Sequence, residues 1–269
     1  MVITLENGAW YYDLFYQITV IVSFVLFMAI GIRKKYPLHH WALIYLSTVI
    51  FASIGVRLMT FDVSEWTVFL QHFQLPETAG KTSLGAILGV VIGVFFAQKA
   101  LGTKYRALDA FGFLIPVVMI LQRLGCTSAG CCFGKPVSNG LGIAYTEQYP
   151  IHSYHSITGV IESGADISAF VHPVQLYMVF SQVIIGIVLI LLRNKLKQSG
   201  SIFLLAVSFT TLTRFWIEFF RDPATNHQLG GEFLGLKIIQ WVLIGITAIS
   251  FTVLVWNERR AIQLAQRRC

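Results

Sequence analysis

The sequence predicts an all-α integral membrane protein with seven transmembrane helices, its N-terminus outside and its C-terminus in the cytoplasm. A long external loop is expected between the fourth and fifth helices. Three observations carry this expectation. The 269-residue chain is 55% apolar and only 12% charged, whereas soluble domains carry roughly a quarter charged residues. Its apolar residues fall into long runs of spanning length. Its lysines and arginines sort between alternate connections.

A spanning helix needs about 20 mostly apolar residues. The runs fall at 12–32, 41–59, 83–100, 107–124, 174–192, 201–220 and 234–256. No polar linker divides them, so one transmembrane domain over 1–269 is expected, with 125–173 as its external loop region. The start "MVITLENGAWYYD" lacks a basic n-region and a small-residue cleavage site, so no cleaved signal peptide is expected.

Orientation follows from charge. Arg33, Lys34, Lys35, Lys99, Lys104, Arg106, Arg193, Lys195, Lys197, Arg259, Arg260, Arg267 and Arg268 fall in one set of connections and the C-terminal tail. The other set holds Lys81, Lys135, Arg221 and Lys237. The cation-rich set is expected in the cytoplasm. The pI near 9.3 then reflects those loops and contact with anionic lipid heads. It requires no nucleic-acid partner.

Arg57, Arg123 and Arg214 lie within runs, toward their outer ends. Ionisable groups inside spans read as functional by default. Snorkelling to the interface is the alternative, above all for Arg57. In "TRFWIEFFRDP", Arg214, Glu218 and Arg221 stand at i, i+4 and i+7, one helical face. Pro223 is expected to end that helix. Two arginines around one carboxylate suit either a buried ion pair or an anion site. A lipid phosphate is the anion most available at that depth, and arginine binds phosphate bidentately.

The fourth run ends in "QRLGCTSAGCCFGKP", with Cys126, Cys131 and Cys132 among three glycines. Inert buried thiols, a disulfide from Cys126 to Cys131 or Cys132, and a zinc site with His152, His155 or His172 are the readings left open. The C-x4-C-C spacing is a poor match to common zinc modules, so no metal is expected. Beyond it, "SNGLGIAY" reads as a turn and then a strand. "HPVQLY" opens the fifth helix, where Pro173 suits its first turn. "LGAILGVVIGVFFA" places Gly85, Gly89 and Gly93 at helix-packing spacing. Gln175 and Gln240 are candidates for bonds between helices. Cys269 is the last residue and has no prenylation box. No nucleotide loop, zinc-protease motif or serine-nucleophile elbow is present.

Six motifs in order resemble the prolipoprotein diacylglyceryl transferase family of bacterial inner-membrane enzymes. They are "SIGVRLMTF", "LGAILGVVIG", "QRLGCTSAGCCFGKP", "HPVQLY", "TRFWIEFFRDP" and "LGLKIIQW". The resemblance implies seven spans and a multi-pass inner-membrane location. It implies transfer of a diacylglyceryl group from phosphatidylglycerol to the cysteine thiol of a lipoprotein precursor, with glycerol phosphate leaving and no cofactor. The partners implied are a phosphatidylglycerol-like phospholipid and that precursor.

The catalytic candidates are Arg123, Arg214, Glu218, Cys126 and Cys131. The substrate-binding candidates are Arg57, Gly134, His172, Gln175, Tyr177, Arg221, Tyr12 and Tyr16. The family's histidine falls on Leu84, its signature asparagine on Cys126, and two of its glutamates on Cys131 and Met178. These departures keep open a lipid-modifying enzyme with another acceptor, a non-catalytic lipid-binding protein and a thiol-redox membrane enzyme.

Overall fold

The computed structural model describes residues 1–4, 8–59, 61, 63–72, 83–138, 142–162, 164–225 and 231–266. Lys81, Arg267, Arg268 and Cys269 lie outside the described residues, as does part of "SNGLGIAY". In chain order the elements are β1 (Val2–Ile3), α1 (Gly8–Arg33), α2 (Leu38–Leu58), α3 (Val63–His72) and α4 (Ser83–Ala100). There follow α5 (Ala107–Ser128), β2 (Ala144–Tyr145), α6 (Pro150–Ile157), α7 (Val174–Leu192) and α8 (Ser201–Ile217). A hairpin of β3 (Glu232–Phe233) and β4 (Leu236–Lys237) leads into α9 (Ile238–Gln266).

Each expected apolar run is helical. Among the described residues, six helices are long and apolar enough to cross a membrane, and α4 is a shorter apolar helix. The chain is therefore a multi-pass helical membrane protein. Boundaries differ in places. Helix α5 runs through Ser128, so Cys126 sits in its last turn and the long connection begins after it. Helix α9 starts four residues late because the hairpin occupies the expected start. Two short helices, α3 and α6, fall outside the apolar runs.

Packing is pairwise: α2 on α4, α1 on α5, α8 on α9, with α5 also against α7 and α8. The glycine face of α4 explains the first pair. A Cβ on Gly89 would come 2.5 Å from the Ala52 Cα, and one on Gly93 would come 2.7 Å from the Thr48 Cα. Backbones meet there because no side chain intervenes. Between α8 and α9, hydroxyl pairs bridge instead: Ser208 to Ser250 at 2.7 Å and Thr211 to Thr247 at 2.7 Å. The exterior is apolar, with Phe180, Leu191 and Ile249 exposed, as a surface facing lipid requires.

The two ends of the bundle differ. At the basic end, Arg106 bonds Asp109 at 2.6 Å and reaches the Lys197 and Gln198 carbonyls. Asp109 in turn accepts the Ile202 amide at 3.0 Å, satisfying a donor at the start of α8. Glu258 accepts the Ser201 hydroxyl at 2.6 Å. At the opposite end the long connection folds back as a cap. Strand β1 pairs in parallel with β2. Ile3, Phe133, Ile143, Tyr145, Tyr149, Ile151 and Val171 form a small separate core beneath it.

Candidate active site

A polar cleft of about 270 Å³ opens beside this cap, where α5 ends, α7 begins and α8 ends. Arg123, Arg214, Glu218 and Arg221 supply its charges, and Cys132, Val174, Gln175, Met178 and Ile217 complete the lining. Arg214, Glu218 and Arg221 all line this cleft, but not as one helical face. Helix α8 ends at Ile217, Glu218–Phe220 is a tight 3₁₀ turn, and Arg221 is extended (φ −84°, ψ 137°). Pro223 begins a second 3₁₀ turn beyond the helix end.

The extended backbone at Arg221 is held by the cap. Arg221 forms a β-bridge with Gly134, the Lys135 amide donates to the Phe220 carbonyl at 2.8 Å, and the Asp222 amide donates to the Phe133 carbonyl at 3.3 Å. Gly134 is required by space. A Cβ there would lie 2.5 Å from the His172 carbonyl oxygen and 2.8 Å from that of Phe220.

Glu218 is the buried anion of the site, 1% exposed. Its carboxylate lies 3.9 Å from Arg221 and 3.5 Å from Lys237 Nζ. Lys237 also donates to the carbonyls of Glu218 and Arg221, each at 3.3 Å. Arg221 is steadied further by Nε donating to Thr225 Oγ1 at 3.0 Å. Arg214 is buried, at 7% exposure. Three arginines and Lys237 thus stand around one carboxylate, and the cleft keeps a net positive charge.

Three thiols cluster beside the cleft, with Cys132 in its lining. Cys126, Cys131 and Cys132 are free, and their sulfur atoms lie within 4.8 Å of one another. Hydrogen bonds from Cys126 and Cys131, together with the Arg123 and Arg221 guanidiniums, hold the Cys132 thiol well below the ordinary cysteine value. The same contacts with Cys126 and Cys132, plus burial, push Cys131 up. No disulfide links the described cysteines. The three histidines do not join them either: His152 Nε2 pairs with the Ala165 carbonyl at 2.7 Å, His172 Nδ1 with the Tyr177 hydroxyl at 3.3 Å. Among the described residues the metal-capable group is the cysteines alone.

The remaining candidates fall in three places. Gln175 is buried in the cleft and donates to the Cys131 carbonyl at 2.7 Å. Tyr12 stands within electrostatic reach of the three thiols, and Tyr16 neighbours Tyr12. Tyr177 lines a second, apolar groove of about 760 Å³ with Phe180, Ser181, Thr213, Trp216, Ile217 and Phe220. His172 packs its ring 5.1 Å from Phe220. Arg57 sits exposed in the last turn of α2, away from the cleft lining. Leu84 is buried with Ile239 and Leu243. Sequence reasoning missed Lys237 as a site residue. Lys237 follows a turn in a cation-poor connection, which is the signal it offers.

Fold and cleft define a class: a polytopic helical membrane protein with an arginine-lined anion cleft at one end of its bundle and an apolar groove alongside. Residues 4–256 match the family model described as prolipoprotein diacylglyceryl transferase. The chain belongs to the prolipoprotein diacylglyceryl transferase family. It is 25% identical over 211 residues to phosphatidylglycerol–prolipoprotein diacylglyceryl transferase 2 of Clostridium perfringens (strain 13 / Type A), covering 76% of each chain. It is 30% identical over 168 residues to the Clostridium tetani (strain Massachusetts / E88) transferase, covering 60% of each. With the Hydrogenovibrio crunogenus (strain DSM 25203 / XCL-2) transferase it shares 24% over 261 residues, 91% of this chain and 90% of that one.

Proposed function

We propose that this chain transfers the diacylglyceryl group of phosphatidylglycerol to the cysteine thiol of a lipoprotein precursor. The observation that carries this reading is the convergence of Arg123, Arg214 and Arg221 on one cleft in a member of this transferase family. In the reaction the bond between the diacylglyceryl carbon and its phosphate oxygen breaks, and a sulfur–carbon bond forms. The thiol proton leaves on the phosphate, which departs as glycerol phosphate. Charge builds on that leaving oxygen, and preformed guanidinium groups stabilise it. Glu218 and Lys237 fix the Arg221 segment rather than touch substrate. The apolar groove shares Ile217 with the cleft, which suits acyl chains running from a headgroup held by the arginines.

In this reading α4 is a seventh span and the protein is one transmembrane unit of the bacterial inner membrane. The cleft faces outward, and the basic end faces the cytoplasm. The sorting of lysine and arginine supports that orientation. A reporter fused after Cys269 is then active inside the cell, and one inserted within 140–165 is active outside. The reverse result for either overturns the orientation.

Leu84 and Met178, apolar where the resembled family carries a histidine and a glutamate, favour a second reading, a lipid-binding member that does not turn over. Purified protein incubated with phosphatidylglycerol and a lipobox peptide separates the two. Peptide mass gain with stoichiometric glycerol phosphate supports the transferase. Lipid binding without either product supports the second reading.

A further inference from the structure

Three thiols cluster beside the cleft, and the transfer reaction as written does not use them. We propose that Cys126, Cys131 and Cys132 form a three-thiolate site for a thiophilic d10 metal ion such as zinc, cadmium or copper(I).

The geometry is that of a chelate. All three sulfurs lie within 4.8 Å of one another. A metal–sulfur distance of about 2.3 Å places the donors of such a site roughly 4 Å apart. The remaining difference is within reach of small side-chain rotations. No regular spacing motif makes this cluster; a specific turn does. Cys126 occupies the last turn of α5. Gly130 then turns the chain with φ +63°, and the Cys131 amide returns to the Cys126 carbonyl at 3.2 Å. Cys132 has φ +57°, a left-handed conformation that a residue with a side chain rarely adopts. That conformation is part of the turn bringing its sulfur to the other two.

The donor set fixes the class of ion. Among the described residues the group contains sulfur only, with no carboxylate and no imidazole. Soft thiolates select zinc-like and copper(I)-like ions and not magnesium or calcium. Charge balance is also met. Three thiolates and one divalent ion leave one negative charge, and Arg123 donates to the Cys132 sulfur beside them. Binding is a ligand exchange: each thiol loses its proton to solvent, three metal–sulfur bonds form, and no oxidation state changes. The bound ion would pin the turn that leads into Gly134, whose bridge to Arg221 shapes the anion cleft. The proposal does not depend on the transfer reaction.

The test uses full-length Cys269→Ala protein, reduced and stripped with a chelator, and cadmium(II) as the probe. The expected result is a thiolate-to-metal charge-transfer absorbance saturating at one ion per chain, reversed by excess chelator, with a raised unfolding temperature. Cys126→Ser, Cys131→Ser and Cys132→Ser should each weaken the band, and the triple serine variant should abolish it. Should one variant fail to fold, the parent titration and the remaining single variants decide. The proposal is overturned if the reduced parent gives no saturable band, or if the triple variant binds cadmium as the parent does. It is overturned equally if intact mass shows a disulfide that leaves fewer than three titratable thiols in the protein purified without added oxidant.

Discussion

Replacing Glu218 by glutamine removes one charge and almost no volume. The carboxylate is 1% exposed and lies 3.5 Å from Lys237 and 3.9 Å from Arg221. At an effective dielectric of about 20, each contact carries about 4–5 kcal/mol of gross attraction. Desolvation of the three groups consumes much of that. Removing one partner is nevertheless costly, because the others stay buried and unneutralised, typically by about 3–5 kcal/mol. Glu218→Gln should therefore lower stability by about that amount, measured as denaturant unfolding in detergent. Combined with Lys237→Met, the loss should fall short of the sum of the single losses by roughly 0.5–3 kcal/mol. A Glu218→Gln protein as stable as the parent, or a strictly additive pair, would refute the assignment of Glu218 as the counter-ion organising the cleft.

Gly89→Leu forces a side chain against the Ala52 backbone and should cost at least about 1–3 kcal/mol by the same unfolding measurement, with α2 and α4 driven apart. His155 is fully buried, and neither ring nitrogen has a hydrogen-bond partner among the described residues. Burial lowers its pKa, with His152 adding to the effect and Asp222 opposing it. The neutral form is thus favoured by folding, so its stabilisation is complete above the unfolded value of about 6.5 and lost as pH falls through the folded value. His155→Phe should show a smaller drop in unfolding temperature than the parent between neutral pH and mildly acidic pH; equal drops would count against this account.

The apolar runs were legible because lipid enforces a local rule: a spanning backbone must satisfy its own hydrogen bonds, so length and hydropathy suffice. The glycine stripe of α4 was legible for a similar reason, since spacing alone sets the face. Arg214 and Glu218 were found by helical spacing. Arg221 was found by the same spacing although the helix ends before it, and it reaches the cleft through a bridge to Gly134. Lys237 arrives from a hairpin, and its approach to Glu218 leaves no periodic trace. The parallel pairing of β1 with β2 joins residues about 140 positions apart with nothing local to announce it. The thiol cluster depends on the left-handed backbone at Cys132, which no residue pattern signals in a residue other than glycine or asparagine. Of the three thiols that the sequence groups together, Cys132 is the one that lines the cleft.

If the buried guanidinium groups of this cleft hold a lipid phosphate as it leaves, their loss is read in turnover. The most direct measurement is glycerol phosphate release from phosphatidylglycerol, with a lipobox peptide as acceptor, by the parent, Arg214→Ala and Arg214→Lys proteins of verified fold. Arg214→Ala should lose at least about 10²-fold in turnover, the scale of removing one preorganised donor. Lysine should recover only part of it, because the planar fork is gone. Turnover by Arg214→Ala equal to that of the parent would place the phosphate-holding groups elsewhere.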